Sequence, residues 1–209
     1  MRELSQHILD ALENAVEAGA SRIVLSIQED LRNDRMVIEI DDNGRGMDKE
    51  RVRRALDPFF TTRKTRHVGL GLPLFLEAAR RCAGDLTLQS DVGKGTRLRA
   101  TFVHSHIDRP PLGDIPGALL AILLSEHPID LDFFHKIGSR EFRFNSSEIR
   151  KELENIPLAH PRVRNWISRF LQEEEASLQA GEAEGSEAIG TLKKARRKDD
   201  GTIEEHRGA

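Results

Sequence analysis

The feature that most constrains this chain is a change of hydrophobic period near its start. Apolar residues first recur at helical spacing (Leu4, Ile8, Leu12, Ala15), and then at every second position in two runs, Ile23-Leu25-Ile27 and Met36-Ile38-Ile40. A helix with one apolar stripe followed by two half-buried strands can bury all three faces only by laying helix on sheet. The pattern then repeats. Asp48 is placed to cap a short helix to about residue 56, and Pro73 suits the first turn of another helix that carries Leu74, Phe75, Ala78, Ala79 and Cys82 on one side. Gly84 closes that helix before strands over residues 85–90 and 97–104, joined by an Asp91-Val92-Gly93-Lys94-Gly95 turn. Helix, strand, strand, helix, helix, strand, strand predicts an α+β sandwich over residues 1–105, a mixed sheet with helices on one face.

Residues 106–114 include Pro110 and Pro111 and read as a stiff linker. A smaller unit is expected over 115–178: a helix (115–126), a hairpin (130–137 and 141–144) and two helices (146–155 and 161–177). Phe133, Phe134, Phe142, Phe144, Trp166 and Phe170 are its expected core, with a partner-docking surface as the sharper alternative. His104, His106, His127, His135 and His160, scattered singly, read as surface or packing residues. From 179 to 209 bulky apolar residues nearly vanish, which predicts a disordered tail, and its basic run at 193–198 reads as solvated.

Composition narrows the function. With 32 Lys plus Arg against 35 Asp plus Glu, the formal charge is −3, which argues against nucleic acid as an obligatory partner. The longest apolar run, 117–124, falls short of the roughly 20 residues that span a bilayer, and Met1 opens no signal peptide. A cytoplasmic protein is expected. Cys82 is the single cysteine, which excludes an intrachain disulfide and a cysteine-built metal cluster.

Four segments carry chemistry. Asp10 and Asn14 lie one turn apart on the same helix face, where an amide oxygen beside a carboxylate suits a magnesium ion that keeps most of its waters. Alone, such a stripe is more often a solvated face. Asp42-Asn43-Gly44-Arg45-Gly46 follows directly on a buried strand, exposing a carboxylate that can accept a hydrogen bond from an adenine amine, beside glycines that permit close approach; an ordinary capped turn fits that segment equally well. Gly69-Leu70-Gly71-Leu72 at a helix start, with Arg63, Lys64 and Arg66 upstream, offers backbone N–H groups to phosphate. Gly93-Lys94-Gly95-Thr96 passes, by itself, as a hairpin turn.

In this order and spacing the four resemble the nucleotide-binding boxes of the GHKL ATPases, the superfamily of gyrase, heat-shock chaperones, histidine kinases and mismatch-repair proteins. The resemblance covers residues 2–104 and implies the two-layer Bergerat fold with ATP and magnesium as ligands. It places Asn14 on the metal, Asp10 as general base, and Asp42 on adenine within the first glycine box of Gly44 and Gly46. Thr62 and Lys64 fall in a segment, 57–64, that looks like the phenylalanine box of histidine kinases. Gly69, Leu70, Gly71 and Leu72 resemble the second glycine box that ends their ATP lid, and Thr96 the threonine that helps to hold adenine.

Residues 13–20 look more like mismatch-repair ATPases, whereas 57–102 look like a histidine kinase; the later motifs and transducer domain of the repair proteins are not found. Histidine kinases commonly have asparagine where this chain has Asp10, and hydrolytic members and the mitochondrial-type protein kinases of the superfamily have an acid there. His67 replaces the usual first glycine of the second box, and the lid is short. The first helix begins at the second residue, so a stand-alone catalytic domain is expected, without upstream phosphoacceptor helices; His7, on the box helix itself, is a poor acceptor. The implied function is Mg-ATP binding with hydrolysis or phosphoryl transfer to a separate protein, by an ATPase or kinase-like phosphotransferase. The alternative is a non-catalytic nucleotide-sensing subunit docked on a larger enzyme, which the resemblance to ATP-binding proteins found beside redox enzymes in anaerobic bacteria would suit.

Overall fold

The computed structural model describes residues 3–57, 71–126, 128–154 and 156–181. The first stretch forms α1 (Leu4–Glu17), β1 (Arg22–Asp30), β2 (Arg35–Asp42) and α2 (Lys49–Arg54). There follow α3 (Gly71–Arg81), β3 (Asp85–Asp91), β4 (Gly95–Val103), α4 (Ile115–Leu123), β5 (Asp130–Ile137), β6 (Arg140–Asn145), α5 (Ser146–Leu153) and α6 (Pro161–Ala180). The expected helices and strands are present to within a few residues at their ends. Asp48 caps α2 as anticipated, its carboxylate accepting the Arg51 N–H at 2.8 Å. Of residues 179–209, where a disordered tail was expected, Gln179 and Ala180 instead complete α6, and 182–209 lie outside the described residues.

Among the described residues the strands form a six-stranded sheet in the order β3-β4-β2-β1-β5-β6. Its register explains why one face is covered. Leu25 lies opposite Ile40 and Phe133, and Ile38 opposite Ala100, so alternate side chains of successive strands line up on one side. That side buries into a single hydrophobic cluster with Leu4, Ile8 and Leu12 of α1, Phe75 of α3, Leu119 of α4 and Phe170 of α6. The opposite face carries polar cross-strand pairs: Arg97 with Asp41, Arg99 with Glu39 at 3.4 Å, and Arg22 with Asp132 at 2.6 Å. This is the two-layer α+β sandwich, with helices on one face, that the sequence implied.

The structure departs from the expectation of a separate second unit. The 130–145 hairpin extends the main sheet, because β5 pairs in parallel with β1 from Arg22↔Asp130 to Glu29↔Ile137. Unpaired, that flank of β1 would present a row of open amides and carbonyls. Phe133, Phe142, Phe144 and Phe170 thus belong to the common core, whereas Phe134 points to the polar face beneath the Arg143 guanidinium, 4.7 Å from its ring centroid. Trp166 is half-buried, stacked on Phe170 at 5.3 Å.

Two of the histidines expected at the surface or in packing, His104 and His135, join one hydrogen-bonded network. His135 occupies an inward position of β5 and is fully buried; its Nε2 lies 3.0 Å from Glu29 Oε1 and its Nδ1 3.0 Å from Glu175 Oε2. The other Glu29 oxygen lies 2.6 Å from His104 Nε2. Burial alone would lower the His135 pKa, but the hydrogen bonds and charges of Glu175 and Glu29 outweigh it and raise it to about 9. Burial pushes Glu29 upward, and its hydrogen bonds to His135 and His104 more than offset that, leaving its pKa below the ordinary value. This chain of side chains joins β1, β5, α6 and the segment after β4. Glu175 therefore interrupts the apolar inner stripe of α6 without leaving a buried polar group unmatched.

Candidate nucleotide site

Asp42 is the last residue of β2 and points to the helical side of the sheet, where 8% of its surface remains exposed. Burial raises its carboxyl pKa above the ordinary value, while the backbone N–H groups of Gly44 and Thr96 pull the other way. The Gly44 N–H donates to Oδ1 at 2.8 Å. Thr96 lies directly opposite Asp42 in the β2–β4 ladder, so the two residues assigned to adenine share one spot.

The loop after Asp42 is held from three sides. Asn43 Oδ1 accepts the Ser21 and Arg22 N–H groups, each at 2.9 Å. The Arg45 N–H donates to the Ala18 carbonyl at the C-terminal end of α1, and the Gly93 N–H donates to the Arg45 carbonyl at 2.7 Å. Ser90 Oγ accepts the Met47 N–H at 2.8 Å, lies 3.0 Å from Thr96 Oγ1 and donates to the Gly95 carbonyl. The glycines make this lacing possible. A Cβ on Gly46 would stand 2.0 Å from the Asp91 carbonyl oxygen, and one on Gly95 only 1.8 Å from that of Asp42. In the described structure both glycines stand backbone against backbone, a role the sequence did not suggest for Gly46. Ser90, Ala18 and Asn43 are the parts that sequence reasoning did not single out; each works through main-chain partners elsewhere in the fold, which leaves no local motif to read.

Asp10 and Asn14 flank the buried stripe of α1. Asn14 is one turn before the Arg45 anchor, its carbonyl accepting the Ala18 N–H at 2.9 Å. Asp10 faces the start of α3: a Cβ on Gly71 would lie 3.3 Å from Asp10 Cβ and 3.4 Å from Oδ2. The first and third motifs therefore meet, with Gly71, the first residue of α3, beside the Asp10 carboxyl. Thr62, Lys64, Gly69 and Leu70 lie outside the described residues. His7, buried on α1, stacks on Phe75 with ring centroids 5.2 Å apart.

Residues 1–106 match the family model of histidine kinase-, DNA gyrase B- and HSP90-like ATPases, just over half of the chain. The chain belongs to this family. The sensor protein kinase FleS of Pseudomonas aeruginosa is 38% identical over 108 residues, which is 52% of this chain and 26% of FleS. Sporulation kinase C of Bacillus subtilis is 32% identical over 94 residues, 45% of this chain and 22% of the kinase. A solved structure, that of full-length ShkA in complex with AMPPNP, aligns at 21% identity with a TM-score of 0.40, covering 49% of this chain and 22% of that one. The chain thus spans about a quarter or less of each of these proteins. Within the ATPase family its relatives are histidine kinases, in line with the resemblance of residues 57–102. Among the described residues no helix is long and apolar enough to cross a membrane.

Proposed function

We propose that this ATPase-family chain binds Mg-ATP between α1, the Asp42–Met47 loop and the start of α3, and hydrolyses it or passes the γ-phosphoryl group to a separate protein. The observation that carries the reading is the convergence just described: the buried Asp42 carboxyl beside Thr96 at one end, and Asp10 against Gly71 at the other. A carboxyl held in a dry position with a raised pKa is costly for the free protein, and an adenine amine is a donor that would compensate it. Membership of the ATPase family supports the assignment.

Asn14 would hold magnesium, which would neutralise phosphate charge and orient the terminal phosphoryl group. Asp10, one turn earlier on the same face, would accept the proton of an attacking water or acceptor hydroxyl. The amides at the start of α3, together with Thr62, Lys64, Gly69 and Leu70, would bind the phosphates.

The direct test of Asp10 is Asp10→Asn, which keeps size and polarity but removes the base. Mg-ATP affinity should stay within about threefold, while phosphate release or transfer falls by about 100-fold or more. Unchanged turnover would remove Asp10 from this role. A wild-type chain that binds Mg-ATP without turning it over in the presence of candidate acceptor proteins would favour the nucleotide-sensing reading.

A further inference from the structure

The N-terminal end of α1 is held in an unusual way. Glu3, at the N-cap position, makes no side-chain capping hydrogen bond, yet the first amides of the helix are partnered. The Leu4 N–H donates to the Pro111 carbonyl at 2.9 Å and the Ser5 N–H to the Leu112 carbonyl at 2.7 Å. Both carbonyls lie beyond the 1–106 family match. Gly113 follows at φ +78°, against the same helical turn; a Cβ there would come within 2.4 Å of Glu3 Oε2 and 2.5 Å of Ser5 Oγ. The segment is anchored at both ends. Arg109 Nε donates to the His104 carbonyl, and Asp114 caps α4 by accepting the Gly117 N–H at 2.8 Å. α4 in turn buries Ile115 and Leu119 in the cluster that contains Leu4 and Ile8.

We infer that residues 107–113 form a positioning strap for the metal- and base-bearing side of the nucleotide site. The inference rests on the nucleotide reading above. α1 behaves as a rod, so a shift imposed at Leu4 and Ser5 is carried to Asp10, roughly 9 Å along the axis at 1.5 Å per residue. Displacements of ångström size at a metal- or proton-handling group are felt strongly in binding and rate. The adenine side is set differently, by Asp42 and Thr96 at one end of the β2–β4 ladder, whereas the strap meets that ladder near its other end, where Arg109 Nη1 lies 3.9 Å from Met36 Sδ. Disturbing the strap therefore weakens recognition of the metal-phosphate part more than recognition of the base, whose loop meets α1 only at its far end, through the Ala18 carbonyl.

Gly113→Asn is the test variant. Asn tolerates a left-handed backbone better than other side chains do, so the substitution intrudes on Glu3 and Ser5 while limiting backbone strain. Gly138→Ala is the control, at a turn with φ +60° where a Cβ meets nothing within 4 Å. Mg-ATP is titrated by calorimetry and adenosine by NMR shifts. Gly113→Asn should weaken Mg-ATP about tenfold and leave adenosine within about twofold, and the control should change neither. Unchanged Mg-ATP affinity, or equal weakening of both ligands, would overturn the strap. A wild type that binds neither ligand overturns the nucleotide reading instead. Hydrogen exchange at Leu4 and Ser5, expected to accelerate about tenfold in Gly113→Asn, then decides the mechanical link alone, and unchanged exchange would refute it.

Discussion

At the residue scale, the most consequential group outside the nucleotide site is His135. Its pKa is raised to about 9, so its contribution to stability is fully present below about pH 6.5, the ordinary histidine value, and is lost as pH rises through about 9. Glu29 is shifted down; its contribution is present above the ordinary glutamate pKa and fades as pH falls through the lowered one. Denaturant melts should therefore show a plateau in mildly acidic solution and a decline from about pH 6.5 to 9. In His135→Leu that alkaline decline should disappear, with a loss of about 3–5 kcal/mol near neutrality, because the buried Glu175 loses its cation and the partly buried Glu29 keeps only His104. This variant should regain stability on acidification, as those carboxyls are neutralised. An alkaline limb that survives the substitution would assign the titration to another group. None of this network was legible in the sequence, since His135 is separated by 40 residues from Glu175 and by 106 from Glu29. The nucleotide motifs were legible because each is local, a carboxylate or amide at fixed spacing from a glycine or a helix start.

At the element scale, periodicity located the strands and helices because each has one buried face, and alternation at 36–40 or 98–102 states that directly. Partner choice was less visible. Nothing in residues 130–137 announces that β5 pairs in parallel with β1, because an alternating run fits a local hairpin and a distant edge equally well. The glycines of the site loop show a related ambiguity. Gly95 permits the β4 backbone to meet the Asp42 carbonyl, so Gly95→Ala should force the two strands apart at the point where Asp42 and Thr96 are paired. The expected result is a stability loss of about 2 kcal/mol or more with weakened ATP binding. Gly93→Ala, in the same turn and also at positive φ but with open space around the added carbon, should cost less than half of that and leave affinity nearly intact. Equal effects of the two would mean that backbone strain, and not the close approach to Asp42, governs the loop.

At the scale of the whole molecule, sequence reading drew a boundary at the proline-containing segment, and the structure carries one sheet and one hydrophobic cluster across it. Prolines fix local backbone but say nothing about whether flanking segments share a core. Trp166, the single tryptophan, lies on α6, so its fluorescence follows the C-terminal half while far-UV circular dichroism follows all elements. Because the halves share a core, the two signals should trace the same transition, and Mg-ATP should shift both together. Two separated transitions would show that the halves unfold independently despite the β1–β5 pairing. The central claim is that Asp42 reads adenine in a working Mg-ATP site, and calorimetric titration of the wild-type chain and Asp42→Ala with Mg-ATP tests it most directly. Saturable binding by wild type, with affinity reduced at least about 100-fold in a folded Asp42→Ala chain, is the predicted result; equal affinity in the two proteins would contradict the account.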